Sequence, residues 1–183
     1  ICNNAAEKSK YFSLTENEFN SLSKEGEYNI QIESRFYDDY LHMGTITLPG
    51  NTENYIIISS DVCHPGQAND SLSGVACSLN LLDQLKKIKN RFYSYLFTYQ
   101  PEMIGTIAFL AHNEKLIKKI QYGMFTEMIG TPGRPVLQKS FQENTSIDTT
   151  SFNVMMKKYN FNIEVKNFFN DCIVNDELIL CHS

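Results

Sequence analysis

Polar and apolar positions along this chain follow three periodicities. From Tyr28 to Phe36 they alternate, with Tyr28, Ile30 and Ile32 on one side and Asn29, Gln31 and Glu33 on the other. Strict alternation predicts a half-buried strand. Asp38-Asp39 reads as a turn, and Tyr40 to Leu48 alternates again up to Pro49-Gly50; the two segments predict a hairpin or meander. At Ile56-Ile57-Ile58 the pattern becomes a continuous β-branched run, the signature of a buried parallel strand over Tyr55 to Ser60. Then Leu72, Val75, Ala76, Leu79, Leu82 and Leu85 recur at three- and four-residue steps, a helical period. Asn69, Asp70 and Ser71 are all competent to cap this helix, and Lys86-Lys87-Ile88-Lys89-Asn90 ends it with cations at the negative pole of its dipole.

A second apolar strand is predicted over Tyr93 to Tyr99, a helix from Ile104 to Ala111 running on toward Leu116, Ile117 and Ile120, and a third strand over Tyr122 to Ile129. Strand–helix–strand–helix–strand order implies right-handed crossovers and a largely parallel sheet. The expected fold class is α/β: a three-layer sandwich with a largely parallel central sheet flanked by helices and preceded by an antiparallel strand pair. At the head of the chain, Thr15 or Asn17 caps a short helix through Phe19 and Leu22. Beyond Pro135 the pattern weakens. Gln142 to Ser151 reads as a polar loop, Phe152 to Tyr159 as an amphipathic helix, Phe161 to Val165 as a short strand, Asn170 to Asn175 as irregular, and Leu178 to Cys181 as the start of another strand. The expectation is a single incomplete domain over 1–183, with lead-in strands in 1–50, a βαβαβ core in 51–135 and a peripheral segment in 136–183.

With 183 residues, 42% hydrophobic and 20% charged, the chain can bury a real core. A net charge of −5 with no basic stripe argues against nucleic acid as a partner. No apolar run approaches the ~18–20 residues of a membrane span, so no membrane partner is expected. The start, Ile1-Cys2-Asn3-Asn4, has no initiating Met and no secretory features, so the chain reads as a piece of something longer and as cytoplasmic. Five cysteines (Cys2, Cys63, Cys77, Cys172 and Cys181) contain no CxxC pair and are odd in number, which fits reduced thiols.

The chemistry gathers at the predicted strand ends. His64 and Asp70 follow the first, Glu102 follows the second, and Glu127 lies near the end of the third. In a parallel sheet these ends share one crest, where ligands bind. Carboxylates brought together there repel unless protonated or bound to cations, and imidazole and carboxylate both suit divalent metals. A plainer role stands beside each: Asp70 as an N-cap, His64 as a hydrogen-bonded loop residue, Glu102 as a cap of the next helix, Glu127 as a solvent-facing acid. Cys63 reads most simply as a small buried residue. A cysteine nucleophile paired with His64 is disfavoured, because adjacent residues at a strand end point apart.

Cys63-His64-Pro65 with Ala68-Asn69-Asp70-Ser71-Leu72-Ser73-Gly74, followed by Tyr93-Ser94-Tyr95 and Pro101-Glu102-Met103-Ile104-Gly105, resembles the di-zinc aminopeptidase family. More narrowly it resembles a bacterial aminopeptidase-like branch long carried as a domain of unknown function. Gly26-Glu27-Tyr28 and Ile32-Glu33-Ser34 extend the likeness, which runs from about Ser13 to Glu177. The resemblance implies a zinc-peptidase fold, one or two zinc ions, and hydrolysis of a small peptide or other amide substrate. His64 matches a ligand of one zinc, Asp70 the carboxylate bridging both, and Glu127 a further ligand of the His64 zinc, at a position where the family carries aspartate. Glu102 matches the general base.

The chain also departs from the family pattern. Met103 stands where a ligand of the second zinc is usual, and Gly66 where an aspartate orients the imidazole. The downstream His-Thr-x-x-Asp segment does not occur in these residues, and His182 falls too early to replace it. These departures keep open a rival reading, a catalytically inactive binding or scaffold module on the same fold.

Overall fold

The β-branched run lies in one of the two inner strands of a four-stranded sheet. Strands β1 (Gly44–Leu48), β2 (Tyr55–Asp61), β3 (Ser94–Gln100) and β4 (Ile120–Phe125) lie in the order β1-β3-β2-β4. β2 pairs in parallel with both β3 and β4, while β1 runs antiparallel along the outer side of β3. The computed structural model describes residues 14–23, 25–64, 66–160, 162–168 and 175–181. The chain divides into two compact units, Ile1–Asp39 and Tyr40–Ser183.

Alternation along β2 and β3 feeds two cores, one on each face of the sheet. Ile57 and Leu96 pack with Phe109 and Leu110 of α3 (Ile104–His112), beside Leu116 and Ile117 of α4 (Glu114–Ile117) and Ile179 and Leu180 of α6 (Asp176–Cys181). Ile58 and Phe97, one residue further along each strand, pack on the opposite face with Leu82 and Leu85 of α2 (Ser73–Lys86). The buried side chains among these, Ile57, Ile58, Leu96, Phe97 and Leu82 foremost, each contribute roughly 1.5–3 kcal/mol. α2 carries the chain from β2 to β3 on one face, and α3 with α4 carries it back past β2 to β4 on the other. This is the layering that two crossovers of one hand require, and it makes the carboxyl end of β2 the point where strand order reverses.

The expected helix–sheet core is therefore present, with adjustments: the third strand ends at Phe125 instead of Ile129, and a helix over Ser146–Lys158 takes in residues expected as loop. β1 joins the sheet beside β3, not as half of a hairpin with a preceding strand. Residues 27–43 form no strand, and Ile30, Ile32 and Phe36 are 54%, 70% and 103% exposed. Alternation marks which side chains would share a face, but a strand also needs a partner ladder. The segment expected to begin a strand at Leu178 is instead part of α6.

In the first unit, α1 (Glu16–Ser21) is capped by Thr15, one of the two expected caps, in a capping box: its hydroxyl accepts the Glu18 N–H while the Glu18 carboxylate accepts the Thr15 N–H. In the second unit, beyond the sheet, β5 (Val136–Gln138) and β6 (Glu164–Lys166) form a parallel pair. α5 (Ser146–Lys158) lies between them in sequence and opens on a second capping box, from Thr145 and Asp148. No helix among the described residues is long and apolar enough to cross a membrane.

Candidate functional site

The three parallel strands end on one rim, and the residues just beyond them carry the predicted chemistry. β2 stops at Asp61, so Cys63 and His64 follow a loop path free of the alternation a strand imposes. The expectation that these neighbours point apart fails for that reason. Cys63 Sγ, a His64 ring nitrogen and a Glu102 carboxylate oxygen all lie within 4.8 Å of one another. His64 Nε2 stands 3.6 Å from Glu102 Oε2 and 3.9 Å from Asp70 Oδ2. The side chains of His64, Glu102 and Asp70 are 39%, 33% and 32% exposed, which leaves the cluster open to a ligand from solvent.

Asp70 does not cap α2, whose cap residue Leu72 makes no side-chain cap bond. It sits in an irregular helical turn, Ala68–Leu72, with extended dihedrals of φ −110°, ψ 95°. One carboxylate oxygen accepts the Ser71 hydroxyl at 2.8 Å while the other faces His64. The turn is tied to the loop after β4. Asn69 Oδ1 accepts the Gly130 N–H at 2.8 Å, and Ser73 Oγ accepts the Ile129 N–H at 3.1 Å. Gly74 permits this approach: a Cβ there would lie 1.9 Å from the Thr126 carbonyl oxygen.

Glu102 does not cap α3 either. It opens a γ-turn in which Met103 takes φ 57°, ψ −60° and the Ile104 N–H donates to the Glu102 carbonyl at 2.6 Å. This positive-φ kind of γ-turn is rare, and such a conformation costs on the order of 1–3 kcal/mol, held by its surroundings. Asp176, fully buried at the start of α6, supplies the hold. Its carboxylate accepts the Met103 N–H, the Thr106 hydroxyl at 2.7 Å and Gln100 Nε2–H at 3.3 Å.

Glu127 is half-buried, and its carboxylate accepts the Asn175 side-chain amide at 3.0 Å. Neither Asp70 nor Glu127 falls within the 4.8 Å group formed by Cys63, His64 and Glu102. The rim thus brings His64, Glu102 and Asp70 into direct proximity, with Glu127 on an adjoining loop.

Two buried acids, Asp61 and Asp176, lie behind the rim and carry little local sequence signal. Asp61, 1% exposed, is pushed up to about 9, first by burial and then by Asp176, which also hydrogen-bonds it, and by Glu102 and Glu127. Held protonated, it donates to Asp176, and its Oδ1 is buried with no hydrogen-bond partner among the described residues. The available signal was a carboxylate directly after a β-branched strand. Asp176 gave none, because its partners lie some seventy residues away. Burial also pushes the Cys63 thiol up.

A thiol, an imidazole and convergent carboxylates, with an orphaned acid oxygen behind them, form a donor set that fits a divalent metal ion. Those donors are Cys63, His64 and Glu102, with Asp70 in reach.

A family model described as a domain of unknown function, DUF4910, matches residues 10–182. A Clostridium acetobutylicum protein named "Putative polysaccharide biosynthesis protein with aminopeptidase-like domain" is 34% identical over 145 residues, covering 79% of this chain and 33% of its own length. A crystal structure of a "putative peptidase" from Clostridium acetobutylicum superposes with a TM-score of 0.70 at 31% identity, over 75% of this chain and 32% of that one. An Acidobacteriales bacterium glutaminyl cyclase shares the fold, with a TM-score of 0.59 at 16% identity, over 75% of this chain and 54% of that one. The chain spans about a third of the length of the clostridial proteins it matches.

Proposed function

The chain belongs to the DUF4910 family, and from that premise we propose that it is a zinc-dependent, aminopeptidase-like hydrolase of peptide or other amide bonds. The observation that carries this reading is the meeting of His64, Glu102 and Asp70 around one open point on the rim, at 3.6 and 3.9 Å from a single imidazole nitrogen. The aminopeptidase-like and peptidase names of the relatives support it.

In this reading His64, Asp70 and Glu127 hold the metal, and Glu102 is the general base. Bound zinc supplies Lewis acidity, lowering the pKa of water and polarising a carbonyl. Glu102, about a third exposed and fixed by its γ-turn, takes a proton from water and returns it to the leaving amine. The imidazole of His64, within 3.6 Å of that carboxylate, fixes where the reacting groups lie relative to the base. Glutaminyl cyclase shares this fold and carries a different name, so the fold alone does not choose the reaction.

The test is metal analysis of the purified chain together with turnover of aminoacyl anilides, with and without added zinc. Glu102→Gln is expected to lower turnover by about 10²–10⁴-fold, the usual contribution of a general base, while zinc content stays unchanged. Equal turnover in the variant would remove Glu102 from the role. A second reading, an inactive binding module on the same scaffold, draws on Met103, a 38% exposed thioether directly beside Glu102. Metal-free protein without turnover would favour it.

A further inference from the structure

Cys63 takes no part in the mechanism above, yet its sulfur shares the rim with groups that do. Its Sγ lies 4.0 Å from Glu102 Oε2, and thiol, imidazole and carboxylate donors stand within 4.8 Å of one another. Ligands of a tetrahedral zinc, bonded at about 2.0–2.3 Å, are separated from each other by roughly 3.3–3.6 Å. The His64–Asp70 separation of 3.9 Å comes close to that spacing, and the sulfur, within 4.8 Å of a His64 ring nitrogen, has at most about 1.5 Å to close. The loop after β2 makes this possible, since residues 62–64 have left the sheet and both neighbouring side chains turn toward Glu102.

Resting on the metal-site reading, we propose that Cys63 is itself a metal ligand, donating a thiolate beside the His64 imidazole. Binding breaks the S–H bond, its proton passes to solvent, and the freed sulfur electron pair forms the bond to the ion. A thiolate in the ligand set selects borderline-soft ions such as zinc or cobalt and disfavours magnesium and calcium, which take oxygen ligands. The site's metal preference is thereby set by a residue that packs as an ordinary small side chain when no ion is bound.

The probe is Co²⁺ added to the full chain, which reports a sulfur ligand through an intense near-ultraviolet thiolate-to-cobalt charge-transfer band. The wild-type protein is expected to show the band and Cys63→Ser to lose it. Cobalt affinity in the variant should fall at least about tenfold, since even changes outside the ligand shell cost about 10–100-fold. The exposed Cys77 supplies the control, and Cys77→Ser should keep the band. Cobalt bound without the band, or with the band unchanged in Cys63→Ser, overturns the thiolate and leaves the metal site standing. No cobalt binding by the wild-type chain overturns both.

Alkylation of the wild-type protein gives an independent readout should the variant fail to fold. Saturating Zn²⁺ is expected to slow carbamidomethylation of Cys63 at least about tenfold, as expected for a thiol whose thiolate is tied up by the ion, while Cys77 reacts at its usual rate. Equal rates at Cys63 with zinc and with a chelator overturn the proposal.

Discussion

Asp61 is a carboxylic acid kept neutral by its position. Its pKa is pushed up to about 9, so between the ordinary carboxyl range near 4 and about pH 9 the unfolded chain gives up a proton that the folded chain keeps. The unfolded state binds fewer protons across that window, and stability must therefore fall as pH rises through it. In the metal-free protein, Asp61→Asn is expected to flatten this dependence: the melting temperature of the wild type should decline from pH 5 to pH 9 while that of the variant changes much less. Parallel melting curves for the two proteins would show that Asp61 ionises normally. The same residue explains part of what the sequence hid. His64, Asp70 and Glu102 were legible because turn signals and strand ends bracket them. Asp61 and Asp176 owe their significance to burial against each other across the chain, and no local pattern records that.

Among the elements, α2 shows where periodicity succeeds and where it misleads. Its extent was readable from Leu72 to Leu85, and Leu82 and Leu85 are core as expected, yet Leu72 and Leu79 are 50% and 42% exposed. The buried stripe runs instead through Gly74, Ser78, Leu82 and Leu85. At its amino end the helix packs so closely on the loop after β4 that only small residues fit, and hydrophobicity cannot signal a contact made by a missing side chain. Gly74→Ala would drive a Cβ to 1.9 Å from the Thr126 carbonyl. Forced shifts of this kind cost typically about 1–3 kcal/mol, to be read as a lower melting temperature. Because α2 follows the Asp70 turn directly, the variant should also bind zinc more weakly, and unchanged melting and metal affinity would contradict this account. On the other side, the alternating segment Tyr28 to Phe36 looked like a strand, and its side chains find no ladder.

For the molecule as a whole, both apolar clusters draw only on residues from Met43 onward. A chain beginning at Tyr40 is therefore expected to keep its helical circular dichroism and a single cooperative thermal transition, and a broad, gradual transition would count against it. The γ-turn at Met103 bears on the order of events during synthesis. Its restraint, Asp176, is made seventy-three residues later, after β2, β3 and β4 have all been synthesised. Domains generally begin to organise while the chain is still growing, so a nascent chain can possess its sheet before the Asp176 restraint on the Met103 turn exists. The aim of Glu102 is thus settled later in synthesis than the strands that carry it.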